Sequence, residues 1–156
     1  MKAYLASPLG FAASTRAFMD ELIATLRSQI EVVNPWDDQR FAADFARVPS
    51  IDSVAERKKL LQHINHELGK KNAESIQACD AVIAVLDGVD VDSGTAAEIG
   101  YAYGLGKRVW GIRTDFRLAG DNEGAIVNLQ VEYFIHQSGG KVVTTADELV
   151  AAVSGG

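Results

Sequence analysis

Apolar residues along the chain fall into two alternating patterns. Short runs occur at Ala3-Tyr4-Leu5-Ala6, Ile30-Glu31-Val32-Val33, Ala81-Val82-Ile83-Ala84-Val85-Leu86 and Val109-Trp110-Gly111-Ile112. The third is apolar almost without a break, the pattern of a parallel strand covered on both faces. Between the runs, apolar residues recur three or four apart, as on one side of a helix. Phe18, Leu22, Ile23 and Leu26 do so behind Ser14-Thr15, a candidate cap. Leu60, Leu61, Ile64, Leu68 and Ile76 predict a second, charged helix. Ile99, Tyr103 and Leu105 predict a third after Ser93-Gly94-Thr95, and Thr144 to Val150 reads as a capped final helix.

This alternation predicts an α/β fold with helices on both faces of the sheet and right-handed crossovers. The expected arrangement is a flavodoxin-like doubly wound parallel sheet of about five strands in the order 2-1-3-4-5, formed by residues 1–156 as a single domain. In such sheets, ligands bind outside the carboxyl ends of the first and third strands. Those ends carry Ser7-Pro8-Leu9-Gly10-Phe11 and Asp87-Gly88-Val89-Asp90-Val91-Asp92-Ser93-Gly94-Thr95. Two stretches, 35–51 and 114–124, read as irregular. Long loops of this kind are often functional, and the second has the polar, glycine-containing make-up of a mobile flap.

Composition narrows the partners. Hydrophobic residues make up 47% of the 156 residues and charged residues 23%, an ordinary globular balance. No apolar run approaches the ~20 residues of a membrane span, and Pro8 breaks the N-terminal stretch too early for a signal peptide. With 21 acidic against 15 basic residues the formal charge is −6, which argues against a nucleic-acid partner and for a small molecule. The lone Cys79 permits no internal disulfide, so a cytoplasmic location is expected.

The third-strand loop concentrates the chemistry. Thr95-Ala96-Ala97-Glu98 fits a capping box, in which the glutamate would only reach back to its helix terminus. Equally, a carboxylate in the first turn of a helix is favoured in its ionised form by the helix dipole. An ionised, oriented carboxylate at this cleft is what covalent glycosyl transfer needs as a nucleophile. Asp87, Asp90 and Asp92 could supply oxygen ligands to magnesium, but the loop lacks the offsets of a calcium site, and no metal is expected. The first loop is neither a dinucleotide fingerprint nor a P-loop. Phe11 there stacks on a base or staples the following helix, and Trp36 lines a base pocket or caps the core. His63 and His66, three apart among Arg57, Lys58, Lys59, Glu67, Lys70 and Lys71, read as a solvated helix face, and His136 has no visible partner.

Tyr4-Leu5-Ala6-Ser7-Pro8, Cys79 to Leu86, and above all Asp92-Ser93-Gly94-Thr95-Ala96-Ala97-Glu98-Ile99-Gly100-Tyr101-Ala102 resemble the nucleoside 2-deoxyribosyltransferase family. The resemblance continues through Asp115-Phe116-Arg117, Asp121-Asn122-Glu123 and Asn128-Leu129. It implies an enzyme of nucleotide salvage that moves deoxyribose from 2′-deoxynucleosides to free purine or pyrimidine bases, without a cofactor. Glu98 matches the nucleophile that attacks C1′, Asp92 an aspartate that positions substrate, and Tyr4 a tyrosine that orients the nucleophile. Asn128 matches an asparagine lent by a neighbouring subunit to the sugar, which implies a homo-oligomer; the apolar Tyr133-Phe134-Ile135 hints at the same. Ser7, Gly10, Phe11, Trp36 and Gly94 complete the expected substrate-binding set. Asn72 falls where many members carry an aspartate associated with the leaving base, Gln130 where methionine is common, and Val153-Ser154-Gly155-Gly156 lacks an aromatic end found in some. Related enzymes hydrolyse nucleotides on the same scaffold, which leaves a 2′-deoxynucleoside 5′-monophosphate N-glycosidase, and a non-catalytic nucleotide-binding module, as alternatives.

Overall fold

In a computed structural model, residues 1–155 are described; Gly156, the last residue of the divergent C-terminus, lies outside them. The strands are β1 (Lys2–Ala6), β2 (Glu31–Val33), β3 (Ala81–Val85), β4 (Arg108–Ile112) and β5 (Val142–Val143). They form one sheet in the order β2-β1-β3-β4-β5, every pairing parallel. The expected topology is therefore found. β5 has only two residues, too few to register as a period-two pattern, so the fifth strand has no specific sequence signature.

The helices are α1 (Ala13–Arg27), α2 (Ala42–Arg47), α3 (Val54–Ala78), α4 (Ser93–Gly104), α5 (Leu129–Gln137) and α6 (Ala146–Ser154). Strand residues alternate between two buried layers. Ala3, Leu5, Ile83, Val85 and Trp110 face Leu22 and Leu26 of α1 and Leu149 and Val153 of α6. Tyr4, Ala6, Val82, Ala84 and Val109 face Ile76 of α3, Ile99 and Ala102 of α4, and Val131 and Ile135 of α5. Each such large aliphatic side chain contributes about 1.5–3 kcal/mol on burial. The alternation has a functional consequence: it turns Tyr4 towards α3 and α4.

Two expectations about local structure are corrected. Residues 35–51 are not simply irregular: 3-10 turns at Pro35–Asp37 and Val48–Ser50 bracket α2. Asn34 seeds the first turn by accepting a hydrogen bond from the Trp36 amide, with Pro35 already holding the backbone angle that the turn requires. Ser14-Thr15 does not cap α1. Ala12 holds the cap position, and the Thr15 hydroxyl donates to the Leu9 carbonyl, tying the helix to the first loop. The final helix is capped as expected, with the Thr145 hydroxyl accepting from the Glu148 amide. α5 was hidden because its nine residues, LQVEYFIHQ, mix exposed and buried apolar positions.

Candidate active site

The helix carrying Glu98 begins at Ser93, where the loop that follows β3 ends. Its cap is Asp92, whose Oδ2 accepts a hydrogen bond from the Thr95 amide at 3.0 Å. The capping box starting at Thr95 is thus not formed. Glu98 is the sixth residue of α4 and lies in the second turn, beyond the reach of a first-turn dipole argument. Released from capping, its carboxyl points to the sheet. The Tyr4 hydroxyl donates to Glu98 Oε1 at 2.6 Å, and Asn72 Nδ2, from α3, donates to the same oxygen at 3.3 Å. Among the described residues nothing bonds Oε2, and that atom is open to solvent. One oxygen is anchored and the other is left free.

The electrostatics follow from this placement. Burial pushes the Glu98 carboxyl above the usual carboxylate range, and the negative charge of Asp92 adds to the rise. The hydrogen bonds from Tyr4 and Asn72 pull the other way, without cancelling it. Burial also drives the Tyr4 hydroxyl far above its ordinary value, with Glu98 reinforcing the shift, so Tyr4 stays protonated and donates at any working pH.

Tyr4, Glu98 and Asn72 form one hydrogen-bonded group, and Asp92 joins it through charge. Gly94 leaves room for that carboxylate: a Cβ there would sit 3.1 Å from Asp92 Oδ2. Ser7, Gly10, Phe11 and Trp36 form a second group at the end of β1. The Ser7 hydroxyl accepts from the Leu9 amide, and its carbonyl accepts from Trp36 Nε1 at 2.9 Å. The Trp36 indole lies where a Gly10 Cβ would be, 2.1 Å from the nearest ring atom, so only glycine allows this approach. Phe11, 78% exposed, meets Trp36 edge-on at 4.6 Å rather than stapling α1. Trp36 itself packs against the core layer that contains α1.

Asn128 caps α5, its Oδ1 accepting from the Gln130 and Val131 amides, and makes no hydrogen bond to Glu98. The three aspartates of the β3 loop are used separately. Asp87 accepts from the Thr114 and Asp115 amides, Asp90 from the Val91 amide, and Asp92 from Thr95. His63 and His66 are exposed on α3, and His136 lies 3.7 Å from Glu132, a partner one helical turn away.

Two residues at the sheet end had no sequence signal. Arg113, 3% exposed, donates to the carbonyls of Leu86, Gly88 and Arg117, binding the β3 loop to the 114–124 segment. Only the sheet register, which sets β4 beside β3, brings it there. Lys71 lines a cleft of about 250 Å³ that also takes in Asn72, Asp38, Arg40 and Ser75. It read as one charge among many on a solvated helix.

A half-buried carboxylate with one oxygen fixed by a tyrosine, at the carboxyl edge of a doubly wound sheet, has the arrangement that nucleophilic attack on an electrophilic carbon requires. The family comparison gives that class its particular form. The nucleoside 2-deoxyribosyltransferase profile matches residues 3–130, and the chain belongs to that family. Its members are enzymes that cleave N-glycosidic bonds of nucleosides or nucleotides, as transferases or as glycosidases. No curated protein matches the chain in sequence. Among solved structures, a conserved protein from Enterococcus faecalis V583 superposes with a TM-score of 0.67 at 23% identity, over 99% of this chain and 98% of its own. A 2-deoxyribosyltransferase from Bacillus psychrosaccharolyticus gives 0.64 at 23% identity, over 96% and 90%. A CMP N-glycosidase from Clostridium botulinum gives 0.51 at 20% identity, over 98% of each chain. These likenesses establish the shared fold. No helix among the described residues is long and apolar enough to cross a membrane.

Proposed function

We propose that the protein transfers 2-deoxyribose between nucleobases, taking unphosphorylated 2′-deoxynucleosides and free purine or pyrimidine bases as substrates. The observation that supports this best is the asymmetry of Glu98, with Oε1 held by Tyr4 and Asn72 and Oε2 free. Oε2 attacks C1′ of the sugar, the C1′–N bond breaks, and the base leaves with the electron pair. The bond to Glu98 preserves the sugar as a glycosyl ester until the nitrogen of a second base displaces the carboxylate. Two displacements at one carbon retain configuration. Positive charge develops on the sugar in each, and the Glu98 carboxylate stabilises it electrostatically. The step uses no metal or cofactor.

One observation favours free nucleosides over 5′-monophosphates. The Asp92 carboxylate already occupies the amide-lined start of α4, where an anion would otherwise bind. The test is chromatographic: purified protein is incubated with thymidine or 2′-deoxyinosine, with and without adenine or cytosine, beside the 5′-monophosphates. A new deoxynucleoside that forms only with acceptor supports transfer. Base released equally fast without acceptor, or preferential cleavage of the monophosphates, contradicts it and indicates a hydrolase.

A further inference from the structure

β3 and β4 leave the sheet at the same level: Val85 pairs with Ile112, and the residues that follow are Leu86 and Arg113. Arg113 is 3% exposed, and its guanidinium donates to carbonyls alone. One nitrogen donates to Leu86, the other to Gly88 at 3.0 Å and to Arg117 at 2.7 Å. Its Nε, buried as well, has no partner among the described residues. Taking a charge out of water is costly, and an apolar side chain would fill this space without that cost. What the arginine supplies is geometry, because one planar fork spans several acceptors at fixed angles where an ammonium meets them from a single point.

The grip is returned by Asp87, which lies between the two carbonyls of the β3 loop. Its Oδ1 accepts from the Thr114 and Asp115 amides at 2.6 and 2.8 Å, and its Oδ2 from the Thr114 hydroxyl at 2.7 Å. Each loop thus holds the other's backbone with a side chain. Gly88 makes the turn between them at a φ of 132°, where a Cβ would lie 3.0 Å from the Asp90 carbonyl oxygen, so the turn needs glycine. From there the loop runs through Val91, buried in the layer that holds Ile99, to Asp92, the cap of α4. Asp92 follows Gly88 by only four residues, so the course set at 86–88 limits where its carboxylate can stand.

Resting on the transfer reading, in which Glu98 is the reacting carboxylate, we infer that Arg113 is a positioning residue for that reaction: with Asp87 it clamps the β3 loop so that Asp92 stands beside Glu98. The groups that act on the Glu98 carboxyl are Tyr4 of β1, Asn72 of α3 and Asp92 at the start of α4, and neither Arg113 nor Asp87 is among them. Their effect passes through the backbone of the loop.

The experiment follows the titration of Glu98 by NMR of its carboxyl carbon, beside kcat/KM for thymidine. Arg113→Lys keeps the charge and loses the fork. Asp87→Ala removes the other half of the clamp at a half-buried position. Asp87→Asn keeps an oxygen for the two amides and offers its nitrogen to the Thr114 hydroxyl, losing only the charge. Because the Asp92 charge raises the Glu98 pKa, displacing it lowers that pKa. Arg113→Lys and Asp87→Ala therefore move it down towards the value in Asp92→Asn, while Asp87→Asn leaves it near the wild type. In an Asp92→Asn background neither clamp variant moves it further. In both, kcat/KM falls about tenfold, within the ~10²-fold that a misplacement of about 1 Å can cost. Where Arg113→Lys fails to fold, the two Asp87 variants decide alone. A Glu98 pKa unmoved by the clamp variants shows that Val91 suffices to hold Asp92 and overturns the inference. A shift that persists without the Asp92 charge comes from wetting of the site and overturns it as well. A wild type that turns over no deoxynucleoside overturns the transfer reading, and with it the role of Arg113 in that reaction, even where the titration shows the clamp.

Discussion

At the scale of single residues, the account turns on the proton balance of Glu98. Burial and Asp92 raise its pKa, while Tyr4 and Asn72 lower it. Since the ionised form attacks, the acid limb of kcat/KM sits above the ordinary value of about 4.3 for glutamate. Tyr4→Phe removes a bond to a charged group, worth about 1.5–3 kcal/mol, so activity falls roughly 10- to 150-fold and the acid limb moves further up. A pH–rate profile of that variant shows either outcome. The same balance bears on stability. Glu98 holds its proton more tightly folded than unfolded, so its contribution favours the fold below about pH 4.3 and is lost as pH rises through the folded pKa. Glu98→Gln therefore melts above the wild type at pH 7, with the gap closing below about pH 4; a lower Tm at pH 7 contradicts the burial argument. The sequence made Glu98 visible as a capping residue or a nucleophile but could not choose. The choice needed Asp92 in the cap position, a fact of backbone geometry.

At the scale of elements, α4 does two jobs through one aspartate. Asp92 caps the helix and places a like charge beside Glu98. Asparagine is as good a cap as aspartate, whereas alanine costs about 1 kcal/mol. Asp92→Asn should thus lower the acid limb of the pH–rate profile, opposite to Tyr4→Phe, and leave the Tm nearly unchanged. Asp92→Ala lowers both. Identical acid limbs in wild type and Asp92→Asn would show that the charge does not reach Glu98. The strands β1, β3 and β4 and the helices α1, α3, α4 and α6 were legible because their periodicity is long or their apolar runs dense. β5 and α5 were not, since their burial depends on neighbours distant in sequence. The cleft was illegible for the same reason: Asp38 and Lys71 meet only after the chain has folded.

At the scale of the whole molecule, the α4–α5 surface sets the expectation for assembly. Tyr133 is 51% exposed and Leu129 54%, beside a Tyr103–Phe134 stack at 4.8 Å. We propose that a second copy of the chain covers this surface in a homo-oligomer, in line with the sequence expectation for Asn128. Light scattering of the active protein then gives a multiple of the 16.8 kDa chain mass; a fully active monomer contradicts it. The α/β class, with helices on both faces of the sheet, followed from alternating apolar runs and helical spacing, whereas the strand order followed from the flavodoxin-like reading. The assignment of chemistry to Glu98 is tested most directly by quenching the protein with acid during turnover of a 2′-deoxynucleoside and measuring intact and peptide masses. The account predicts a deoxyribosyl adduct on the peptide that contains Glu98, absent in Glu98→Gln and discharged by an acceptor base. Turnover with no adduct, or an adduct on another residue, would contradict it.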